Sequence, residues 1–156
     1  MAYFDIDFYR QNYGDIDEAA FNRRSFDACR KIDNHTTGVD GVKKLRHAFP
    51  IDEDDIEAVK RCGCKLVYLM TQMEAAEQSM GYEATENGFR GKVISSVSAG
   101  NESISYSVGN ATMIDKALSD PAVKEKLFRD TIREYLSGVA DANGVNLLYM
   151  GVYPRV

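Results

Sequence analysis

Residues 52–80, DEDDIEAVKRCGCKLVYLMTQMEAAEQSM, decide the fold because they form the longest amphipathic stretch of the chain. Their apolar side chains recur every three or four positions, which is the spacing of one buried helix face. The positions on that face are Ile56, Val59, Cys62 or Gly63, Leu66, Leu69, Met70 and Met73. This pattern predicts a long helix at about 52–80, ended by Gly81, that forms one side of a hydrophobic core.

Two further stretches show the same helical spacing, at about 17–33 and at about 121–142. The first follows a candidate N-cap at Asp15 or Asp17. The second follows Asp120 and a proline, the usual pair at a helix N-terminus. Three substantial helices are therefore expected.

The region between the second and third helices has a different pattern. Residues 92–108 alternate small polar and apolar side chains around a Gly-Asn pair, which predicts a hairpin or an extended loop. Its second limb places Ile104 and Tyr106 on one face and serines on the other, so one face is left for a partner. Residues 145–156 form an apolar tail, which is also typical of a segment that contacts another surface.

The expected fold class is therefore mainly α. We expect a small helical bundle with a projecting β-hairpin or extended loop and an extended C-terminal tail, all in a single domain of residues 1–156. A chain of this length can bury one ordinary hydrophobic core.

Composition limits the function classes. The net charge of -5 argues against a protein that binds nucleic acid phosphates, and no apolar run or N-terminal signal predicts membrane insertion or secretion. The odd number of cysteines, Cys29, Cys62 and Cys64, favours reduced thiols and a cytosolic site of synthesis.

Local motifs give no catalytic, metal or cofactor site. Cys62 and Cys64 point about 200° apart on a helix and cannot hold one metal ion together. The acidic run at 52–55 lacks the ligand spacing of a calcium loop and suits the positive end of a helix dipole. Serines at 95–107 have no candidate base or G-x-S-x-G context, so we expect no enzyme.

Several short motifs, taken in order, resemble the head-tail connector, or adaptor, proteins of long-tailed bacteriophages. The resemblance covers nearly the whole chain. The motifs are FY at 8–9 before Gly14, ACRKID at 28–33 before Thr36, AVK at 58–60, ISSVSAG at 94–100 running into SISY at 103–106, and YL at 135–136 followed by LLYMGV at 147–152.

This resemblance implies a structural protein of the virion neck, assembled in the bacterial host cytoplasm. Its copies would form a ring, usually dodecameric, that docks on the portal protein and extends the DNA channel toward the tail. The implied partners are the portal protein, neighbouring copies of the chain and a stopper or tail-completion protein. Genomic DNA would pass without sequence-specific binding, and no cofactor or membrane is implied.

The resemblance also implies two sets of contact residues. The expected portal-binding residues are Leu147, Leu148, Tyr149, Gly151 and Val152. The expected subunit or neck interface consists of Val97, Gly100, Ile104 and Tyr106.

Two alternatives remain open at this point. The first is a small helical DNA-binding packaging factor, similar to a terminase small subunit, which should carry a helix-turn-helix with a basic recognition helix. The only small basic cluster of this kind contains Lys43, Lys44, Arg46 and His47. The second is an enzyme with an unrecognised site, which a deep pocket with convergent ionisable groups would reveal.

Overall fold

A computed structural model describes the backbone of residues 2–79, 82–85, 88–91, 96–99, 102–105 and 113–154, and the side chains of 2–78 and 113–154. The chain divides into two compact units. The first unit comprises Met1–Met70 and Glu125–Val156, and the second comprises Thr71–Lys124. The mainly helical class is confirmed, whereas the single domain over 1–156 stays a prediction.

Six helices are described. They are α1 (Ile6–Tyr13), α2 (Glu18–Thr36), α3 (Lys44–His47), α4 (Glu53–Ser79), α5 (Met113–Ser119) and α6 (Pro121–Leu136). The helices predicted at about 17–33 and 52–80 are therefore confirmed as α2 and α4, and α5 was not predicted.

Aspartates begin the main helices by accepting hydrogen bonds from amides that have no partner inside the helix. The Asp17 side chain accepts from the Ala20 amide at 2.9 Å. At the start of α6, the Asp120 side chain accepts from the Ala122 amide at 2.8 Å. Both N-caps agree with the sequence, in which each aspartate precedes an apolar-periodic stretch.

The helix predicted at 121–142 is wrong at its C-terminal end. The observed helix, α6, ends at Leu136, and a turn follows it. Gly138 in this turn has a φ of 85°, in the left-handed region that glycine adopts without steric penalty. The apolar residues beyond the turn, which suggested more helix, lie in a differently folded segment.

Apolar packing joins the helices of the first unit. The Phe4 ring lies against the backbone of Gly63 in α4, where a Cβ atom would come within 2.1 Å of the ring. Phe4 also meets Phe21 of α2 edge-on, with 5.8 Å between ring centroids. The apolar side chains with no solvent exposure in this unit are Ala28, Ile32, Val59, Cys62, Cys64, Leu66, Val67, Phe128, Ile132, Leu136 and Leu147.

The second unit contains two antiparallel strand pairs in its described backbone. Strands β1 (Tyr82–Thr85) and β2 (Gly88–Gly91) form one pair. Strands β3 (Ser96–Ala99) and β4 (Glu102–Ser105) form the other, with Val97 opposite Ile104.

Strands β3 and β4 lie within residues 92–108, where a hairpin or extended loop is expected, but the hairpin and its projection stay a prediction. Of the expected interface residues, Gly100 and Tyr106 lie outside the described residues. The side chains of Val97 and Ile104 lie outside them as well.

Candidate functional site

The residues after α6 form a folded segment, here called the C-terminal segment and defined as residues 139–153. Two hydrogen bonds close its first turn, from the Leu147 amide to the Val139 carbonyl and from the Asp141 amide to the Val145 carbonyl, each at 2.9 Å. The segment returns toward the unit from which it starts, and the predicted extended tail is not confirmed.

A buried lysine holds the middle of the C-terminal segment. Lys44, the first residue of α3, is fully buried, and its Nζ donates to the carbonyl oxygens of Thr36 at 2.8 Å, Leu147 at 3.3 Å and Tyr149. Burial lowers the pKa of this amino group, while the carboxylates of Asp40 and Asp141 oppose that shift. The three acceptors satisfy the three hydrogens of an ammonium group, which connects the end of α2 to the C-terminal segment.

Two aspartates hold the end of the segment. The Asp40 side chain accepts from the Tyr153 amide at 2.6 Å, and this bond, followed by one from the Val42 amide, lowers the pKa of Asp40. The Tyr153 hydroxyl donates to the buried Asp141 at 2.6 Å. Burial and the bond to Asp141 raise the pKa of Tyr153, and a bond from the Asn143 amide group opposes them.

The segment approaches the loop between α2 and α3 very closely. The Val39 amide donates to the Met150 carbonyl at 3.0 Å. A Cβ atom on Gly38 would lie 2.5 Å from the carbonyl oxygen of Gly151, a distance that no side chain tolerates. Glycine at 38 therefore permits the backbone contact that keeps residues 149–152 beside this loop.

The structure separates the expected portal-binding residues into buried and exposed positions. Leu147 is fully buried and anchors the segment, so it is not available to a partner in this conformation. Leu148 and Gly151 are half-buried. Tyr149 and Val152 are 50% and 65% exposed and are the residues of the set that present most surface.

Exposed apolar side chains concentrate around these two residues. Seven large hydrophobic side chains are exposed in the described part of the chain, and four of them belong to this region. We call these four residues the C-terminal patch: Val39, Tyr149, Met150 and Val152. Clustered exposure of this kind marks interaction surfaces, whereas isolated exposed hydrophobics are ordinary.

Sequence reasoning missed Val39 and Met150 as members of this surface. Val39 stands in a Gly-Val-Asp-Gly turn, far from the C-terminus in sequence. A long-range backbone bond to Met150 brings the two residues together, and no local pattern carries that information.

The small basic cluster in and before α3 is largely occupied by contacts within the unit. Lys44 bonds to backbone carbonyls, and the Arg46 Nε lies 2.7 Å from the buried carboxylate of Asp33. The hydrogen bond to Asp33 raises the pKa of Arg46. The His47 ring meets the Tyr153 ring edge-on at 5.0 Å. Three of the four basic side chains are thus engaged in holding the fold.

The two cysteines of α4, Cys62 and Cys64, are buried and do not form a disulfide. Burial raises the pKa of both the Cys62 and the Cys64 thiols to about 12, which suppresses the reactive thiolate.

The described residues contain no group of three or more potential metal ligands. Every buried side-chain nitrogen or oxygen in the described part has a hydrogen-bond partner. No described helix is long and apolar enough to cross a membrane.

Comparisons with known proteins find no matching family model, no matching curated protein and no matching solved structure. The candidate site therefore stands on its geometry, and the strongest feature of that geometry is an exposed apolar patch on a segment held by buried polar contacts.

Proposed function

We propose that this chain is a head-tail connector protein of a long-tailed bacteriophage. Copies of the chain form a ring on the portal protein, usually of twelve subunits, and continue the DNA channel toward the tail. A stopper or tail-completion protein binds the other side of the ring in the virion neck. The proposal rests on the order of the motifs along the chain and on the C-terminal patch.

The C-terminal patch is the structural observation that carries this proposal. Tyr149 and Val152 are exposed on a segment whose backbone is fixed by Lys44 and Asp40. A tyrosine side chain has few rotatable bonds and loses little conformational freedom on binding, and tyrosine is enriched among the residues that dominate protein interfaces. The patch is therefore suited to a repeated contact with the portal.

The arrangement of basic residues gives less support to the DNA-binding alternative. A recognition helix needs basic side chains free to reach phosphates and base edges. In α3, Lys44 is buried and Arg46 is paired with Asp33. Only Lys43 of the four-residue basic cluster is exposed without such an engagement.

Electron microscopy of the full chain mixed with the portal protein encoded beside it tests the proposal. We expect a ring of density on the outer end of the portal, in register with the portal subunits. The paired change Tyr149→Ser with Val152→Ser should weaken docking more than tenfold. Both side chains are half exposed or more, so the free energy of unfolding should change by less than about 1 kcal/mol.

Phe26→Ser is the matched control because Phe26 is 62% exposed on α2, outside the C-terminal patch. This variant should dock as the unmodified chain does. Absence of a ring with the unmodified chain would contradict the connector function. A discrete complex with duplex DNA in a gel-shift assay at low salt would instead favour the packaging factor.

A further inference from the structure

A cleft of about 150 Å³ lies in the first unit, between α2, α6 and the C-terminal segment. Three basic side chains and two apolar ones line it: His35, Arg129, Arg133, Leu148 and Met150. We call this site the basic cleft. It is too small for a folded domain and matches a short segment of a partner.

The basic cleft concentrates positive charge in a chain whose net charge is -5. Burial lowers the pKa of His35, and the charges of Lys31, Arg129 and Arg133 lower it further against the opposing effect of Glu125. Lys31 itself is bonded to Glu125 at 2.7 Å and is partly neutralised. The positive potential of the cleft therefore comes mainly from the two arginines.

Neither arginine has a carboxylate at hydrogen-bond distance among the described residues. The carboxylate paired with Arg129 belongs to Asp130, at 3.8 Å, and Arg133 has no ion pair in the described part of the chain. A guanidinium group binds a carboxylate through two parallel hydrogen bonds when one is brought to it. Beside them, Leu148 and Met150 offer an apolar surface.

The start of α4 has the complementary chemistry. Ile51 is 78% exposed, and Glu53 and Asp54 follow it on the surface. The neighbouring aspartates are already engaged, because Asp52 accepts from the amides of Asp54 and Asp55, and Asp55 accepts from the Ala140 amide at 3.1 Å. In the described structure, the carboxylates of Glu53 and Asp54 have no ion pair.

We propose that Ile51, Glu53 and Asp54 of one copy bind in the basic cleft of a second copy. Ile51 contacts Leu148 and Met150, while the two carboxylates pair with Arg129 and Arg133. The two surfaces are different parts of the chain, so the contact is head-to-tail and each added copy leaves one of each surface open. Such a contact produces a closed ring when the rotation between copies is right.

This inference rests on the proposed function for the closed ring, but the contact between copies can be measured without the portal. Exposed ion pairs each contribute little and are screened by salt. Association in solution should therefore be weak and should weaken further as salt is added. A portal that holds many copies side by side raises their effective concentration and makes a weak contact sufficient.

Sedimentation equilibrium of the full chain, at low salt and up to millimolar concentration, tests the contact. We expect concentration-dependent association of the unmodified chain. Arg133→Glu and Asp54→Arg should each weaken it at least tenfold, because each change places like charges together. An equimolar mixture of the two variants should form heterodimers, since one retains the acidic segment and the other retains the basic cleft.

The double variant with both Arg133→Glu and Asp54→Arg should regain association with itself, because the reversed charges again meet. Arg30→Glu is the matched control, as Arg30 is exposed on α2 and does not line the cleft. It should associate as the unmodified chain does, and circular dichroism should show every variant folded.

Three results would overturn the inference: an unmodified chain that stays monomeric at millimolar concentration, a mixture that forms no heterodimer, or equal weakening by Arg30→Glu. Binding of a short DNA duplex that Arg133→Glu abolishes would assign the cleft to phosphate and would also overturn it. Failure of portal docking with self-association intact would contradict the proposed function alone.

Discussion

The two ends of the chain contact the same unit through different chemistry. Near the N-terminus, Phe4 makes an apolar contact by packing its ring on Gly63 and against Phe21, and the neighbouring Tyr3 adds one polar contact through its hydroxyl, which donates to Asp33. The C-terminal segment contributes one fully buried apolar side chain, Leu147, and is otherwise held by hydrogen bonds, above all those of Lys44.

Apolar and polar contacts differ in how precisely they fix the position of the backbone. Apolar packing is strong in proportion to buried area, but it has little directional preference. A buried ammonium or carboxylate is stable only with its partners in place, so it fixes the position of the backbone groups to which it bonds. The N-terminal contact therefore contributes mainly stability, and the C-terminal contacts fix where Tyr149 and Val152 are presented.

Phe4→Ala should have the largest effect on stability and tests the apolar contact near the N-terminus. Removing a buried phenyl ring should lower the free energy of unfolding by about 3–5 kcal/mol, because the rigid backbone of Gly63 cannot fill the cavity. Urea denaturation measures this change. Phe26→Ala, at a ring that is 62% exposed, should stay within about 0.5 kcal/mol. A loss below 1 kcal/mol for Phe4→Ala would mean that the N-terminal contact is peripheral.

Lys44→Met should have the second largest effect on stability and tests the polar contacts of the C-terminal segment. Methionine keeps an unbranched side chain that is one atom shorter, but it leaves three carbonyl oxygens without their donor, at about 2–3 kcal/mol. The change should act locally, so hydrogen exchange at the Leu147 and Tyr153 amides should accelerate more than exchange within α4. Lys43→Met, at the exposed neighbouring lysine, is the control. Uniform acceleration across the unit would show that Lys44 supports the whole core.

The difference between the N-terminal and C-terminal contacts also explains which features of the fold can be predicted from the sequence and which cannot. The face of α4 and the N-caps at Asp17 and Asp120 follow from local periodicity and from chemistry within a few residues. The burial of Lys44 does not follow from local sequence, because its acceptors at Thr36 and Leu147 are brought together only by the complete fold. Lysine is seldom fully buried, and nothing in the basic cluster indicates that Lys44 is.

The end of α6 and the position of Leu147 show the same limit. An apolar run after Leu136 fits either more helix or a packed segment, and Gly138 decides between them only when its backbone conformation is known. The sequence indicated that residues 145–156 need a contact surface. It did not show that Leu147 finds this surface within its own unit while Tyr149 remains exposed.

Tyr153→Phe should have the smallest effect and sharpens the comparison by removing one hydroxyl. The variant loses the bond that the hydroxyl donates to Asp141 and the one that it accepts from Asn143, and the expected loss of stability is about 1 kcal/mol. Tyr149→Phe, with no hydrogen bond of its own hydroxyl among the described contacts, is the matched control and should be neutral. If Tyr153→Phe is equally neutral, the polar attachment of the segment depends on Lys44, Asp40 and the backbone bond from Val39 to Met150.

The same residue predicts a pH dependence. The pKa of Tyr153 is raised in the folded chain, so the hydroxyl stays protonated there at pH values where the unfolded chain ionises. Its contribution should be complete below the ordinary tyrosine pKa of about 10 and should be lost as pH rises through the higher folded value. Tyr153→Phe should remove that part of the alkaline loss in stability. If the loss of stability at alkaline pH is unchanged in the variant, other groups cause it. The Tyr153 hydroxyl would then contribute only through its hydrogen bonds.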